Sequence, residues 1–200
     1  MRVLLYCLLG FFLCSCAQRY HVIAPEKIAY PAPTNANNGV SVSFKNNVLR
    51  EAGNRKFARK EFKKDTRLIA VRIVNQRDSS VFVGRDINFL MNGKPLNPLS
   101  TSTYMNIMRQ QAEFNLFYLL FLPTQFNQIE NGRVTSSLPI GLILAPMLVA
   151  INWITAENAN KAFAKELHAN SLIGKEVKKG EFIYGLLPVE SAHSVTVEIK

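Results

Sequence analysis

The residues able to do covalent or metal chemistry are few, and the most reactive lie at the start of the chain. Cys7, Cys14 and Cys16 are the three cysteines in 200 residues. A Cys-x-Cys pair beside a third thiol suits a disulfide, a soft-metal site or a processing site. The other donors do not converge. His21, His168 and His193 stand far apart, and the 14 acidic residues never cluster. His193 with Glu190 makes a weak metal pair at most, and Ser194 beside it lacks the orienting acid of a triad. The chain contains no G-x-S-x-G, H-E-x-x-H, P-loop or G-x-G-x-x-G motif. The expectation is a protein without catalytic residues, metal or cofactor, and not an enzyme.

The flanks of the cysteines decide among the thiol readings. Arg2 precedes an apolar run over residues 3–13 that only Gly10 interrupts. That is the pattern of a secretory signal peptide, too short to span a bilayer. It closes on Leu13-Cys14-Ser15-Cys16. This quartet resembles the lipobox of bacterial lipoproteins, with Leu at minus three, a small residue at minus one and Cys at plus one. Cys14 at minus two departs from the commoner Ala or Ser. The resemblance implies that residues 1–15 are removed. Cys16 would then carry a thioether-linked diacylglycerol and an N-acyl chain such as palmitate, making membrane lipid a partner. Ala17, Gln18 and Arg19 are not acidic, which by the same resemblance implies the outer membrane of a bacterial cell envelope, facing the periplasm. Each buried methylene contributes about 0.8 kcal/mol, so two or three chains hold firmly.

Elements that would position a site follow. Residues 16–38, with Pro25, Pro31 and Pro33, suit a Pro/Asn-rich tether, or a segment packed along a domain. Alternation predicts strands over 40–44 and 67–76, with Ile69, Val71 and Ile73 facing the core. Further strands are predicted at 79–84, 86–91, 181–189 and 194–200. Asn92-Gly93 signals a tight hairpin whose return strand, with Pro95 and Pro98, is an edge. Helices are predicted over 102–123, 137–155 and 156–170, with a polar loop over 124–137. The order suggests a mostly β fold: an immunoglobulin-like β-sandwich over 39–200, carrying an α-helical hairpin insertion at about 102–170, α+β overall. The stretches 68–99 and 177–189 resemble immunoglobulin-like domains of uncharacterised bacterial lipoproteins, at Val71 to Asn75, Asp86 to Gly93 and Gly180 to Leu187. That resemblance brings no activity with it.

Two stretches could make contacts. The net charge is +10, and residues 45–67 hold nine basic residues against three acidic. Arg55, Lys56, Arg59, Lys60, Lys63 and Lys64 are the candidate anionic-surface residues, suited to lipid headgroups, lipopolysaccharide or peptidoglycan; a solvated face is the bland alternative. Nucleic acid is disfavoured by the export signal. Residues 138–155 are the most apolar part beyond the signal, with Leu142, Leu144, Met147, Leu148 and Trp153 as candidate membrane or partner contacts. Buried hairpin, spanning helix and half-inserted face all fit the hydropathy, and Gly141 with Ala145 would permit close approach in each. Two functions are expected: a membrane-anchored envelope lipoprotein that binds or scaffolds without catalysis, with another envelope protein as a partner, or a membrane-integrated component of a transport or assembly complex.

Overall fold

The computed structural model describes residues 17–33, 35–37, 39–91, 94–96, 98–190 and 195–199. The predicted signal peptide, Cys7, Cys14, Cys16, the predicted Asn92-Gly93 turn, His193 and Ser194 lie outside these residues. The chain forms two compact units. One combines Tyr20–Arg109 with the described residues from Asn160 on, the other Gln110–Ala159 with residues 17–19.

The first unit is built on alternating strands. β3 (Thr66–Asn75) lies between β2 (Val40–Lys45) and β10 (Phe182–Glu190), and β1 (Asn35–Asn37) adds outside β2, all antiparallel. Ile69, Val71 and Ile73 are fully buried on the face that alternation predicts. Leu68 and Ala70 on the opposite face are buried too, and the helices Val48–Glu51 and Arg55–Lys64 contact β3. β5 (Ile87–Met91) pairs with β11 (Val195–Ile199) and β6 (Lys94–Pro95), while β4 (Val81–Phe82) pairs with β9 (Glu176–Val177). One core joins these sheets through Val42, Ile73, Val81, Phe89, Leu187 and Val197. Burying each such side chain contributes about 1.5–3 kcal/mol. Gly185 is required where β10 passes residues 170–172, because a Cβ there would collide with the Leu172 side chain and the Asn170 carbonyl.

The second unit holds a 3-10 helix (Ala112–Phe121), a hairpin of β7 (Phe126–Glu130) and β8 (Arg133–Leu138), and most of the helix Gly141–Ala169. Asn131 (φ 51°) and Gly132 (φ 75°) both take the positive φ that a type I′ hairpin turn needs. The 29-residue helix begins where glycine is obligatory: a Cβ on Gly141 would strike the carbonyls of Phe121 and Leu122.

The mostly β, immunoglobulin-like sandwich with a helical hairpin is therefore corrected. Among the described residues helix and strand are mixed, and no closed sandwich forms. The strands are divided among sheets of four, three, two and two. The cause is local. β4, β6 and β9 are two residues each, and Pro95 in β6 has no N–H to extend a ladder. No helical hairpin forms either. The predicted helix over 102–123 is an α-helix (Thr101–Met108) followed by the 3-10 helix, the predicted loop is the β7–β8 hairpin, and the two predicted later helices are one.

Candidate functional site

The basic stretch folds mainly as the helix Arg55–Lys64. Its inner face buries Phe57 and Glu61. The helical period divides the six predicted cations into two rows. Arg55, Arg59 and Lys63 line an open groove of about 830 Å³, together with Arg50, Arg67, Asn47, Ala58, Glu61 and Phe62. Lys56, Lys60 and Lys64 do not line it. Lys56 and Lys60 are half-buried, and the Lys60 ammonium donates to the Arg109 carbonyl. Arg50, Arg67 and the 80% exposed Phe62 complete the groove and were not among the predicted residues.

The nearby acids are committed elsewhere. Glu51 pairs with Lys45 at 2.8 Å. Glu61, buried at the groove, accepts from the Leu68 N–H at 2.6 Å and the Tyr104 hydroxyl at 3.0 Å. Burial raises its carboxyl to about 7, against these two hydrogen bonds and the Arg67 charge, which pull it down. Tyr104, wholly buried, is raised well above its ordinary value by burial first and then by Glu61. Among the described residues, no carboxylate lies within ion-pair distance of Arg50, Arg55, Arg59 or Lys63. Arg55 also stands in the first helical turn with no acid there, where the helix dipole disfavours a cation by about 0.3–1 kcal/mol.

Residues 17–24 are held by side-chain hydrogen bonds. In the first unit, buried Asn54 holds residue 21 on both sides: the His21 N–H donates to Oδ1 at 2.8 Å, and Nδ2 donates to the His21 carbonyl at 2.7 Å. Glu166 accepts from the Tyr20 hydroxyl at 2.6 Å and from the N–H groups of Ile23 (3.0 Å) and Ala24 (2.8 Å). The Tyr20 ring lies against Phe57 and Phe163. In the second unit, Gln110 holds residue 18 the same way, accepting from its N–H at 3.0 Å and donating to its carbonyl at 2.8 Å. The Ala17 N–H donates to Asn152 Oδ1 at 2.7 Å.

The second unit is polar and small inside, and large and apolar outside. Along the Gly141–Ala169 helix, Gly141, Ala145, Asn152, Ala156 and Ala159 are buried. Leu142, Ile143, Leu144, Met147, Ile151, Trp153 and Ile154 are exposed, and Leu148 is half-buried. The 3-10 helix repeats this: Ala112, Asn115 and Tyr118 are inside, Phe114, Leu116, Phe117, Leu119 and Leu120 outside. Every residue of β7 and β8 is exposed. In the first unit the exposed large hydrophobics are Val22, Phe62, Ile173 and Phe182, among the described residues. Thus Leu142, Leu144, Met147 and Trp153 are exposed, and so are Phe114, Phe117, Leu120, Ile143 and Ile151, which were outside the predicted set.

Among the described residues, no three His, Cys, Asp or Glu side chains gather as a metal site. His21 is held through its backbone, and His168 lies in the last turn of its helix. No family model, curated protein or solved structure matches the chain.

Proposed function

We propose that the chain is a non-catalytic envelope lipoprotein, anchored through acylated Cys16, whose second unit lies in the membrane interface and carries the first unit as a binding or scaffolding module. The observation that carries this reading is the inverted helix. A helix of a water-soluble unit buries its leucines and isoleucines and shows its small and polar residues. Here the window apolar enough to cross a membrane is only 22% buried, and what it buries is Gly, Ala and Asn. Exposed apolar surface of this extent marks a contact with lipid or protein. Lipid is favoured because Ala17 and Gln18, the residues directly after Cys16, are bonded into this same unit. Acyl chains on Cys16 would enter the bilayer beside it.

An interfacial position suits the unit better than a spanning one. The apolar part, Gly141 to Ile154, has a length of about 21 Å at a rise of 1.5 Å per residue, against a hydrocarbon core of about 30 Å. The β7–β8 hairpin has open edges, and unpaired backbone groups are not tolerated deep in hydrocarbon. Its Asn127, Gln128, Arg133 and Ser136 suit headgroup depth.

Two measurements test the proposal. Mass spectrometry of the mature N-terminus should find a diacylglycerol and an acyl chain on Cys16; an unmodified Cys16 removes the anchor. A Cys16→Ser variant should still float with phosphatidylcholine vesicles through the second unit, and should sink when Leu142, Ile143 and Ile151 are also changed to Glu. If Cys16→Ser alone stays in the soluble fraction, the second unit is not a membrane element.

A further inference from the structure

The groove of the first unit gathers five cations. Arg55, Arg59 and Lys63 recur every four residues, so their positions on the helix are separated by about 6 Å each. Arg50 and Arg67 approach from the flanking segments. A solvated face that only served solubility would intersperse the two signs. Here Glu51 is paired with Lys45, and Glu61, which lines the groove, is buried and accepts from Leu68 and Tyr104, so neither forms an ion pair with Arg50, Arg55, Arg59 or Lys63. Four of the five cations are arginines, whose planar forks match phosphate oxygens in pairs. Beside them Phe62 is 80% exposed, on a helix that buries the other phenylalanine, Phe57. Dense positive charge next to one bare aromatic ring suits a ligand that is both phosphorylated and apolar.

We infer that this groove binds the phosphomonoester headgroup of a lipid, with Arg50, Arg55, Arg59, Lys63 and Arg67 on the phosphate oxygens and Phe62 against the adjoining glycerol and acyl carbons. The inference names a ligand class for the binding module proposed above, yet it does not depend on membrane anchoring. It can therefore be tested on the full chain in neutral detergent micelles.

The probe is water-soluble dihexanoyl phosphatidic acid, titrated calorimetrically, with dihexanoyl phosphatidylcholine and inorganic pyrophosphate as comparisons. The phosphatidic acid should bind and the phosphatidylcholine should not. The triple variant Arg55→Gln/Arg59→Gln/Lys63→Gln should weaken binding on the order of a hundredfold, about fivefold per removed charge. The triple variant Lys56→Gln/Lys60→Gln/Lys64→Gln removes the same charge from the other row of the same helix, and should change binding less than about fivefold. Phe62→Ser should weaken the lipid and leave pyrophosphate unchanged. Equal losses in the two triple variants would reduce the groove to diffuse charge and overturn the inference. No binding of phosphatidic acid, or pyrophosphate binding as tightly as the lipid, would also overturn it. So would tighter binding to a single-stranded oligonucleotide, which would make the groove a nucleic-acid surface. A failure of any kind here leaves the Cys16 mass and the flotation result untouched, so the two proposals fall separately.

Discussion

Replacing Glu166 by Leu removes one carboxylate that accepts three hydrogen bonds from residues 20–24. Ile23 is buried, and its N–H would be left without a partner together with the Ala24 N–H and the Tyr20 hydroxyl. A donor left unsatisfied in a buried place costs about 1–3 kcal/mol, and bonds to a charged acceptor lie at the upper end. The sum expected is about 3–6 kcal/mol, less what Ala24 and Tyr20 recover from water. Glu166→Gln keeps an amide oxygen for the two N–H groups and should lose about 1–2 kcal/mol. Because Glu166 bonds these amides directly, hydrogen exchange reads the effect where it arises. A loss of about 3 kcal/mol corresponds to roughly a 150-fold drop in protection at Ile23 and Ala24. Glu166→Leu should show that drop and Glu166→Gln a far smaller one. If Glu166→Leu exchanges these amides at the wild-type rate, residues 20–24 are held by the Tyr20, Phe57 and Phe163 rings, and the role given to Glu166 is wrong.

Two further perturbations probe the two units. Glu61 has its carboxyl raised from 4.5 to about 7, chiefly by burial, so the folded state disfavours its charged form. The native state then holds the extra proton, and its contribution to stability is full below pH 4.5 and lost as pH rises through about 7. Glu61→Gln keeps an acceptor for Leu68 and Tyr104, so its stability relative to wild type, measured by urea unfolding, should rise by about 3 kcal/mol between pH 4.5 and 8. A flat difference refutes it. Gly141→Ala places a methyl against the backbone carbonyls of Phe121 and Leu122, which have no rotamer to escape by, and should lower the thermal midpoint of the second unit, read by Trp153 fluorescence, by the equivalent of about 1–3 kcal/mol.

Parts of this fold are written plainly in the chain. The β-branched run around Ile69, Val71 and Ile73 locates β3 within a residue at each end, although Leu68 and Ala70 are buried on its other face as well. The Asn131-Gly132 pair carries the β7–β8 turn, inside a stretch that reads only as a polar loop. Its flanks, Phe126–Glu130 and Arg133–Leu138, read as loop because both faces are exposed and no apolar alternation is selected. The groove was half legible. The spacing of Arg55, Arg59 and Lys63 marks one helical face, but summed charge does not separate it from Lys56, Lys60 and Lys64. Arg50 and Arg67 join through tertiary packing, which no local window contains. The join at residues 155–156 vanishes because it was a change of composition without a breaking residue; Thr155 and Ala156 continue one helix. Which side of residues 141–155 turns inward was hidden for a different reason. A segment apolar all round has no period to read, and the buried positions are set by close approach at Gly141 and by the Asn152 bond to Ala17.

Trp153 is the chain's single tryptophan, and it lies 38% exposed on the inverted helix, so its fluorescence reports on that surface alone. The full chain reconstituted into vesicles whose acyl chains carry bromine at defined depths tests the central claim directly. Contact with the bilayer predicts a blue-shifted Trp153 emission, quenched most by bromines near the top of the acyl chains and little by aqueous iodide. Strong iodide quenching with no response to bromine at any depth would contradict it, and would leave the apolar surface without lipid.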